Sequence, residues 1–235
     1  MGQNRDDEQM EALQHFVDNA LIDEVLGVVK SGKEATVYLC EASAGGLVAA
    51  KVYRSRKVRQ FANAAAYNDG RMRGMARRDA LAMTKKSRVG QEMSFARWVS
   101  AEYATLTLLH AAGVAVPAPI AVSDSVIVME YIGDEDEPAA PLANARLDRV
   151  EAQRVFEVLM RNVEMMLACD RVHGDLSAYN VLYRDGEMRI IDFPQAVDAR
   201  FNQNALSLLE RDIDNLCRHF ERLGVQVIAR LPLSL

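Results

Sequence analysis

Four segments carry apolar residues at the three-to-four-residue spacing of an amphipathic helix. They run from about residue 7 to 25, from 95 to 112, from 149 to 168 and from 205 to 223. The second should end at Gly113, because glycine favours a helix C-terminus and Pro117 and Pro119 prevent the helix from resuming. The chain is therefore predicted to be rich in helix towards its C-terminal end.

Short runs of β-branched and aromatic residues predict strands between these helices. Residues 36–40 and 47–53 flank the turn-rich segment 42–46 and should pair as a hairpin. Further strands are expected at 126–131, 181–183 and 188–191. Strands with one helix come first, then an extended link, then mostly helix, so the order favours a two-lobed α+β fold with a cleft near residues 131–141.

Composition indicates a folded protein that is not anchored in a membrane. Half of the 235 residues are hydrophobic and 26% are charged. No apolar run reaches the roughly 18–20 residues of a membrane span, and the N-terminus lacks the pattern of a secretory signal. We therefore expect a cytoplasmic location. Cys40, Cys169 and Cys217 lack CxxC spacing and are expected to be buried thiols rather than disulfide or zinc residues.

The net charge of -5 conceals a basic segment in an acidic chain. Residues 54–97 hold 12 Lys and Arg against 3 Asp and Glu, a net charge of +9, so the remaining 16 against 30 give -14. Such a segment faces an anionic partner, such as nucleic acid, or forms a solvated surface loop. The sequence favours neither reading.

The most informative motif is the run from His173 to Asn180, followed by Asp192 at the end of an apolar strand. Phosphoryl transfer needs one carboxylate to orient the acceptor hydroxyl, and an amide oxygen and a second carboxylate to hold Mg²⁺ against the phosphates. Asp175, Asn180 and Asp192 supply these groups in the right order. Their apolar neighbours argue against three chance residues in exposed turns.

Upstream residues complete this set. Gly32 lies where a phosphate-covering loop would be, but it is the one glycine of the kinase glycine-rich pattern that is present, so this signal is weak alone. Lys51 lies in an otherwise apolar strand and needs an anionic partner, for which ATP phosphates and Glu102 are candidates. A lysine that extends to solvent beside an exposed Glu102 is the alternative.

Taken together, these segments resemble the RIO group of atypical serine/threonine protein kinases. The likeness spans about residues 27–216 and is strongest in the Gly-Lys-Glu loop, the Leu-Ser-x-Tyr-Asn loop, and Asp-Phe-Pro-Gln where other kinases have Asp-Phe-Gly. The phrases that carry it are SGKEATVY, AAKVYR, AEYATLTLLHAAGVAVPAP, VIVMEYIGDE, HGDLSAYNVLY, IIDFPQAVD and LLERDIDN.

The resemblance implies a bilobal protein-kinase-like α+β fold, with a small antiparallel sheet and helix in the N-lobe and a mostly helical C-lobe. The expected divisions are a helical segment at 1–25, an N-lobe at 26–131 with a flexible basic loop at 54–95, and a C-lobe at 132–235. It also implies ATP and Mg²⁺, or Mn²⁺, as cofactors. Asp175 would be catalytic, Asn180 and Asp192 would hold the metal, and Asp192 could accept phosphate as an aspartyl intermediate. The implied ATP contacts are Ser31, Gly32, Lys33, Glu34, Val37, Ala49, Lys51, Glu102, Pro117, Met129, Glu130 and Ile132.

Several activities remain open at this point. Family members assist ribosome maturation, which makes RNA or a ribosomal particle a candidate partner of the basic loop, although this loop is longer than is usual in the family. The 43 residues after Asp192 are too few for the peptide-docking helices of ordinary protein kinases, and we expect no winged-helix domain. The alternatives are ATP hydrolysis, transfer to a protein or to the chain itself, a small-molecule phosphotransferase, and a nucleotide-sensing RNA-binding module.

Overall fold

The computed structural model describes residues 3–54, 88–134 and 136–227, with side chains described from residue 8 in the first range and from residue 93 in the second. Most of the predicted basic loop 54–95 lies outside the described residues. The chain divides into two compact units. The first contains Met1–Ala104 and Ala118–Tyr131, and the second contains Thr105–Pro117 and Ile132–Leu235.

The described residues form four α-helices and ten β-strands. The helices are α1 (Gln3–Asp18), α2 (Arg88–Ala111), α3 (Arg149–Ala168) and α4 (Ala205–Arg222). The strands are β1 (Ile22–Ser31), β2 (Ala35–Ala42), β3 (Leu47–Tyr53), β4 (Pro119–Val122), β5 (Val126–Glu130), β6 (Ala140–Pro141), β7 (Arg171–Val172), β8 (Val181–Arg184), β9 (Glu187–Ile190) and β10 (Val197–Asp198).

The first unit is built on a five-stranded antiparallel sheet in the order β1-β2-β3-β5-β4. Successive residues of a strand point to opposite faces, and the two faces have different partners. Val48, Ala50 and Val52 of β3 pack with Leu13 and Phe16 of α1. On the other face, Tyr53 and Ile127 pack with Phe95, Trp98 and Val99 of α2. The sheet therefore has one helix on each face.

The second unit is mainly α3 packed against α4. Asp148 caps α3 by accepting from the N–H groups of Val150 and Glu151, both at 2.9 Å. The rings of Phe156 on α3 and Phe220 on α4 lie 5.2 Å apart. A three-stranded sheet, β6-β8-β9, and a two-stranded sheet, β10-β7, complete the unit and carry the segments that contain Asp175 and Asp192.

Most predicted elements are present, but α2 begins at Arg88 rather than at residue 95, and the short strands β6, β7 and β10 were not predicted. The first helix ends at Asp18 rather than Val25, because Ala20 takes a positive φ of 51° and the chain then enters β1. The strand β1 was not predicted, and neither was β4, which begins at Pro119. Proline prevents a helix from resuming but is tolerated as the first residue of an edge strand, so Pro119 is compatible with β4.

Two smaller expectations concern the cysteines and the membrane. All three cysteines are free, but only Cys40 is fully buried, and burial raises the pKa of its thiol to about 11. Cys169 and Cys217 are partly exposed, so the prediction that all three thiols are buried is correct only for Cys40. Within the described ranges, no helix is both long and apolar enough to cross a membrane.

Candidate active site

The predicted phosphate loop forms the turn between β1 and β2. Ser31 pairs with Thr36, and the Gly32 N–H donates to the Ala35 carbonyl at 2.9 Å, which closes the turn. A Cβ on Gly32 would lie 3.3 Å from that carbonyl oxygen, so a larger residue would crowd the turn. Ser31, Gly32 and Lys33 are exposed and Glu34 is partly exposed. Their backbone and side chains are therefore accessible to a phosphate ligand.

Four of the predicted nucleotide contacts share one face of the sheet. Val37 pairs with Lys51 across β2 and β3, and Ala49 pairs with Met129 across β3 and β5. Directly paired residues point to the same face, as do residues two apart on one strand. Val37, Ala49, Lys51 and Met129 therefore lie on the face that also packs against α2.

Lys51 has the anionic partner that its buried position requires. Its Nζ donates to Oε1 of Glu102 on α2 at 2.8 Å, and the two residues are 9% and 6% exposed. The alternative of a lysine and a glutamate that both extend to solvent is wrong. Tyr53 was not predicted to take part, yet its hydroxyl donates to Oε2 of Glu102 and its ring centroid lies 5.0 Å from Lys51 Nζ. Burial raises the pKa of Tyr53 well above its ordinary value, and the negative charge of Glu102 raises it further. The phenol therefore keeps its proton and donates it in the hydrogen bond to Glu102.

The remaining predicted contacts fall in both units. The Glu130 N–H donates to the Ala118 carbonyl at 2.8 Å, and the Glu130 carboxylate accepts from the Ala118 N–H at 3.0 Å, so both groups brace the end of β5. Pro117, which is buried, and Ile132, whose carbonyl accepts from Ala139, belong to the second unit. A role for these three residues in adenine binding stays a prediction.

The segments that contain Asp175, Asn180 and Asp192 are joined by hydrogen bonds in the second unit. Asn180 Nδ2 donates to the Asp175 carbonyl at 2.9 Å, which closes the segment between them. The Ile191 N–H donates to the Asn180 carbonyl at 2.9 Å, which places Asp192 directly after this bond. The carboxylates of Asp175 and Asp192 belong to exposed residues. The loop thus presents two carboxylates and the oxygen of an anchored amide.

Asp192 has a backbone conformation that is costly for a residue with a side chain. Its φ is 73°, in the left-handed region where aspartate and asparagine are the best tolerated non-glycine residues. Such conformations cost about 1–3 kcal/mol and persist only where the surroundings hold them. Here Ile191 on one side is bonded to Asn180, and Phe193 on the other is buried.

The oxygen atoms of Asn180 and Asp192 suit Mg²⁺ that is bound together with a nucleotide better than a metal ion bound by protein side chains alone. In the described part of the chain, no three His, Cys, Asp or Glu side chains gather into a metal site. Magnesium usually binds through one or two carboxylates together with substrate phosphates and water. Asp192 and the Asn180 amide oxygen supply hard oxygen ligands of this kind.

His173 anchors the loop through hydrogen bonds to the backbone. It is 1% exposed, its Nδ1 accepts from the Asp175 N–H at 3.3 Å, and its Nε2 donates to the Ile191 carbonyl at 3.1 Å. Both nitrogens are thereby occupied by backbone. The neighbouring Gly174 has a φ of 79°, and a Cβ there would lie 2.5 Å from the Gln195 carbonyl oxygen. The residue before Asp175 must therefore be glycine.

Helix α4 contributes two residues whose role the sequence did not reveal. Asp212, 1% exposed, accepts from the N–H groups of Gly174 and Leu176 at 2.7 and 2.9 Å, on either side of Asp175. Arg211 donates to the Gly174 carbonyl. In the sequence both residues appear only within the family phrase LLERDIDN, which assigns neither of them a role. Their contacts show that they hold the backbone that carries Asp175.

The titration of Asp212 gives a test of this arrangement. Burial raises the pKa of its carboxyl from 3.8 to about 6, although its two N–H donors and Arg211 oppose the rise and Asp175 adds to it. The folded state therefore binds this proton more tightly than the unfolded state. The resulting stabilisation is complete below the unfolded pKa and is lost as the pH rises through the folded pKa.

We expect the free energy of unfolding of the parent, relative to Asp212→Asn, to fall by an amount on the order of 2 kcal/mol between about pH 4 and 6. Urea unfolding of both proteins across this range measures the difference. Contributions from other titrating groups cancel in the comparison. A difference that does not change with pH would contradict the raised pKa.

Comparisons with known proteins show which family this chain resembles. The family model described as RIO domain matches residues 36–231. The RIO-type serine/threonine-protein kinase Rio1 of Haloferax volcanii is 34% identical over 93% of this chain and 71% of its own length. The human serine/threonine-protein kinase RIO1 is 31% identical over 91% of this chain, which spans only 36% of that longer protein.

Solved structures show the same fold. The Rio2 kinase from Chaetomium thermophilum, in a crystal structure described as an ADP/Mg²⁺-phosphoaspartate complex, aligns over 97% of this chain and 63% of its own. The TM-score is 0.66 and the sequence identity is 21%. The predicted α+β protein-kinase-like fold is therefore confirmed. With the RIO domain matched over most of its length, the chain belongs to the RIO family of serine/threonine-protein kinases.

Proposed function

We propose that this chain is an ATP- and Mg²⁺-dependent phosphotransferase of the RIO type, with Asp175 as its catalytic carboxylate. The observation that carries the proposal is the set of hydrogen bonds that links Asp175, Asn180 and Ile191, the residue before Asp192. The Lys51–Glu102 pair in the first unit also supports the proposal, because protein kinases use a lysine paired with a glutamate to bind the ATP phosphates. A cytoplasmic location is part of the same proposal.

In the proposed reaction Asp175 orients an acceptor hydroxyl and takes its proton. The acceptor oxygen forms a bond to the γ-phosphorus of ATP, and the bond from that phosphorus to the bridging oxygen breaks, so ADP leaves with the electron pair. Bound Mg²⁺, or Mn²⁺, would neutralise charge on the phosphates, and Asn180 and Asp192 would hold it. Glu102 holds Lys51 in place, and the Tyr53 hydroxyl in turn donates to the Glu102 carboxylate.

Asp192 offers a second acceptor within the same site. One of its carboxylate oxygens would attack the γ-phosphorus, ADP would leave, and water would then hydrolyse the aspartyl phosphate to inorganic phosphate. The Rio2 structure that resembles this chain is described as a phosphoaspartate complex, which supports this route here. Net ATP hydrolysis would then be an activity of the chain in its own right.

The acceptor and the partner are the least constrained parts of the proposal. We propose a protein substrate, including the chain itself, and an RNA or ribosomal particle bound through the basic segment 54–97. The charge of +9 in that segment supports a polyanionic partner, but most of it lies outside the described residues. A small-molecule acceptor is the alternative that the experiment below separates.

The test is incubation of the parent protein with γ-labelled ATP and Mg²⁺. Three products are followed together: free phosphate, label on the chain, and label on an added basic protein or small alcohol. We expect slow, Mg²⁺-dependent phosphate release and a self-label that hydroxylamine removes, because acyl phosphates react with hydroxylamine whereas Ser and Thr phosphates do not.

Each other outcome has a distinct meaning. Acid-stable label on the chain or on the basic protein would place transfer on Ser or Thr and favour the kinase activity over hydrolysis. Transfer to small alcohols alone would contradict the RIO-type assignment of substrate. Binding of ATP and Mg²⁺ with no product of any kind would favour a nucleotide-sensing module instead.

A further inference from the structure

Arg54, the residue after β3, contacts the turn that we propose to cover the ATP phosphates. Its Nη2 donates to Ser31 Oγ at 2.7 Å and to Thr36 Oγ1 at 3.0 Å, which are the two paired residues at the base of the turn. Its backbone N–H donates to the Glu34 carbonyl at 2.8 Å, within the turn itself. One residue thus holds both ends and the middle of the loop.

The same turn is linked to helix α1 through Thr36. Gln9 on α1 is 8% exposed, and its side chain exchanges hydrogen bonds with Thr36 Oγ1 at 3.2 and 3.3 Å. The Gln9 Oε1 also accepts from the Tyr38 hydroxyl at 3.0 Å. Because Thr36 Oγ1 accepts from Arg54, its own proton is directed to Gln9. A continuous chain of polar contacts therefore runs from α1 to Ser31.

We propose that Arg54 is a positioning residue for the phosphate-binding turn, and that α1 supports it through Gln9 and Thr36. A glycine-containing turn with exposed residues loses conformational freedom when it closes over a ligand, and this loss weakens binding. The guanidinium of Arg54 already restricts the turn when no nucleotide is bound, so the turn loses less conformational freedom on binding. The inference deepens the proposed function and rests on it.

The planar guanidinium explains why this position suits arginine. Two N–H groups on one nitrogen reach two hydroxyls that face each other across the turn, and their spacing is fixed by the guanidinium plane. Lysine would keep the positive charge but not this geometry. If Arg54 acted only by attracting phosphate, lysine would serve as well, so the two roles can be separated.

The test measures equilibrium binding of ATP with Mg²⁺, and of adenosine, to the full chain. The variants are Arg54→Met, Arg54→Lys, Gln9→Met and the double variant Gln9→Met with Arg54→Met, and the control is Arg161→Met, an exposed arginine of α3 in the second unit. We expect Arg54→Met to weaken ATP binding about tenfold, Arg54→Lys about fivefold and Gln9→Met about threefold. Adenosine binding and the control should stay within about twofold of the parent.

Two patterns would support the proposal and three would overturn it. The first supporting result is that Arg54→Met lowers the affinity for ATP and keeps the affinity for adenosine. The second is that Gln9→Met has almost no further effect on ATP affinity when it is added to Arg54→Met. Parental ATP affinity in Arg54→Met would overturn it, as would parental affinity in Arg54→Lys. Equal losses for ATP and adenosine would assign Arg54 a general structural role. A parent protein that binds neither ligand would instead refute the proposed function itself.

Discussion

Replacing Asp175 with alanine should lower the rate of ATP hydrolysis by about a thousandfold while leaving the affinity for ATP with Mg²⁺ within about twofold of the parent. The carboxylate is proposed to act on the attacking hydroxyl or water and not on the bound nucleotide. Its backbone is held independently of its side chain, by His173 and by the bonds of Asp212 on either side. The loop should therefore keep its shape when the carboxylate is removed.

The matched control is Asp214→Ala, which removes an exposed aspartate from α4 in the same unit. Its hydrolysis rate should equal that of the parent, because Asp214 takes no part in the described site. Steady-state phosphate release measures the rate, and nucleotide binding is measured separately. An Asp175→Ala protein that hydrolyses ATP like the parent would remove Asp175 from the chemistry.

Asp192→Asn should reduce hydrolysis by about a thousandfold as well, for a different reason. It removes one negative charge from the proposed metal site and the carboxylate that would accept phosphate. Asparagine tolerates the positive φ at this position nearly as well as aspartate, so the backbone should be preserved. The variant should lose both the hydroxylamine-labile label and the dependence of ATP affinity on Mg²⁺.

Asp185→Asn is the control for this change. Asp185 also has a positive φ, 50°, and it lies exposed in the turn between β8 and β9. The same substitution in the same backbone conformation should leave hydrolysis, labelling and Mg²⁺ dependence unchanged. If Asp192→Asn still forms the labile label, the phosphate acceptor is another residue.

The fold could be predicted where the periodicity of the sequence was strong. Helix α3 was predicted with its observed bounds, Arg149–Ala168, because its apolar stripe is continuous and Asp148 caps its start. The strand β1 was missed because Leu21 and Val25 continue the spacing of α1, while the positive φ at Ala20 that ends the helix has no signal in a non-glycine residue. Exposed Leu26 and Val28 also break the alternation expected of a strand.

The site could be predicted where a motif carried the chemistry. The proposed site residues Asp175, Asn180 and Asp192 were predicted from their spacing. The cost of a buried lysine predicted an anionic partner for Lys51, and the pair found in kinases made Glu102 a candidate, which the structure shows bonded to it. Residues that act through folding were not visible in this way. Asp212 meets Gly174 38 positions away, and Tyr53 meets Glu102 49 positions away. Spacing within a motif contains no information on such contacts.

The most direct test of the central claim is a crystal structure of the parent protein with Mg²⁺ and an ATP analogue that cannot be hydrolysed. We expect Asn180 Oδ1 and an Asp192 carboxylate oxygen to bind the metal ion at about 2.1 Å. We also expect the γ-phosphate to face the Asp175 carboxylate. A nucleotide bound away from these residues, or a metal that contacts neither Asn180 nor Asp192, would contradict the proposed site.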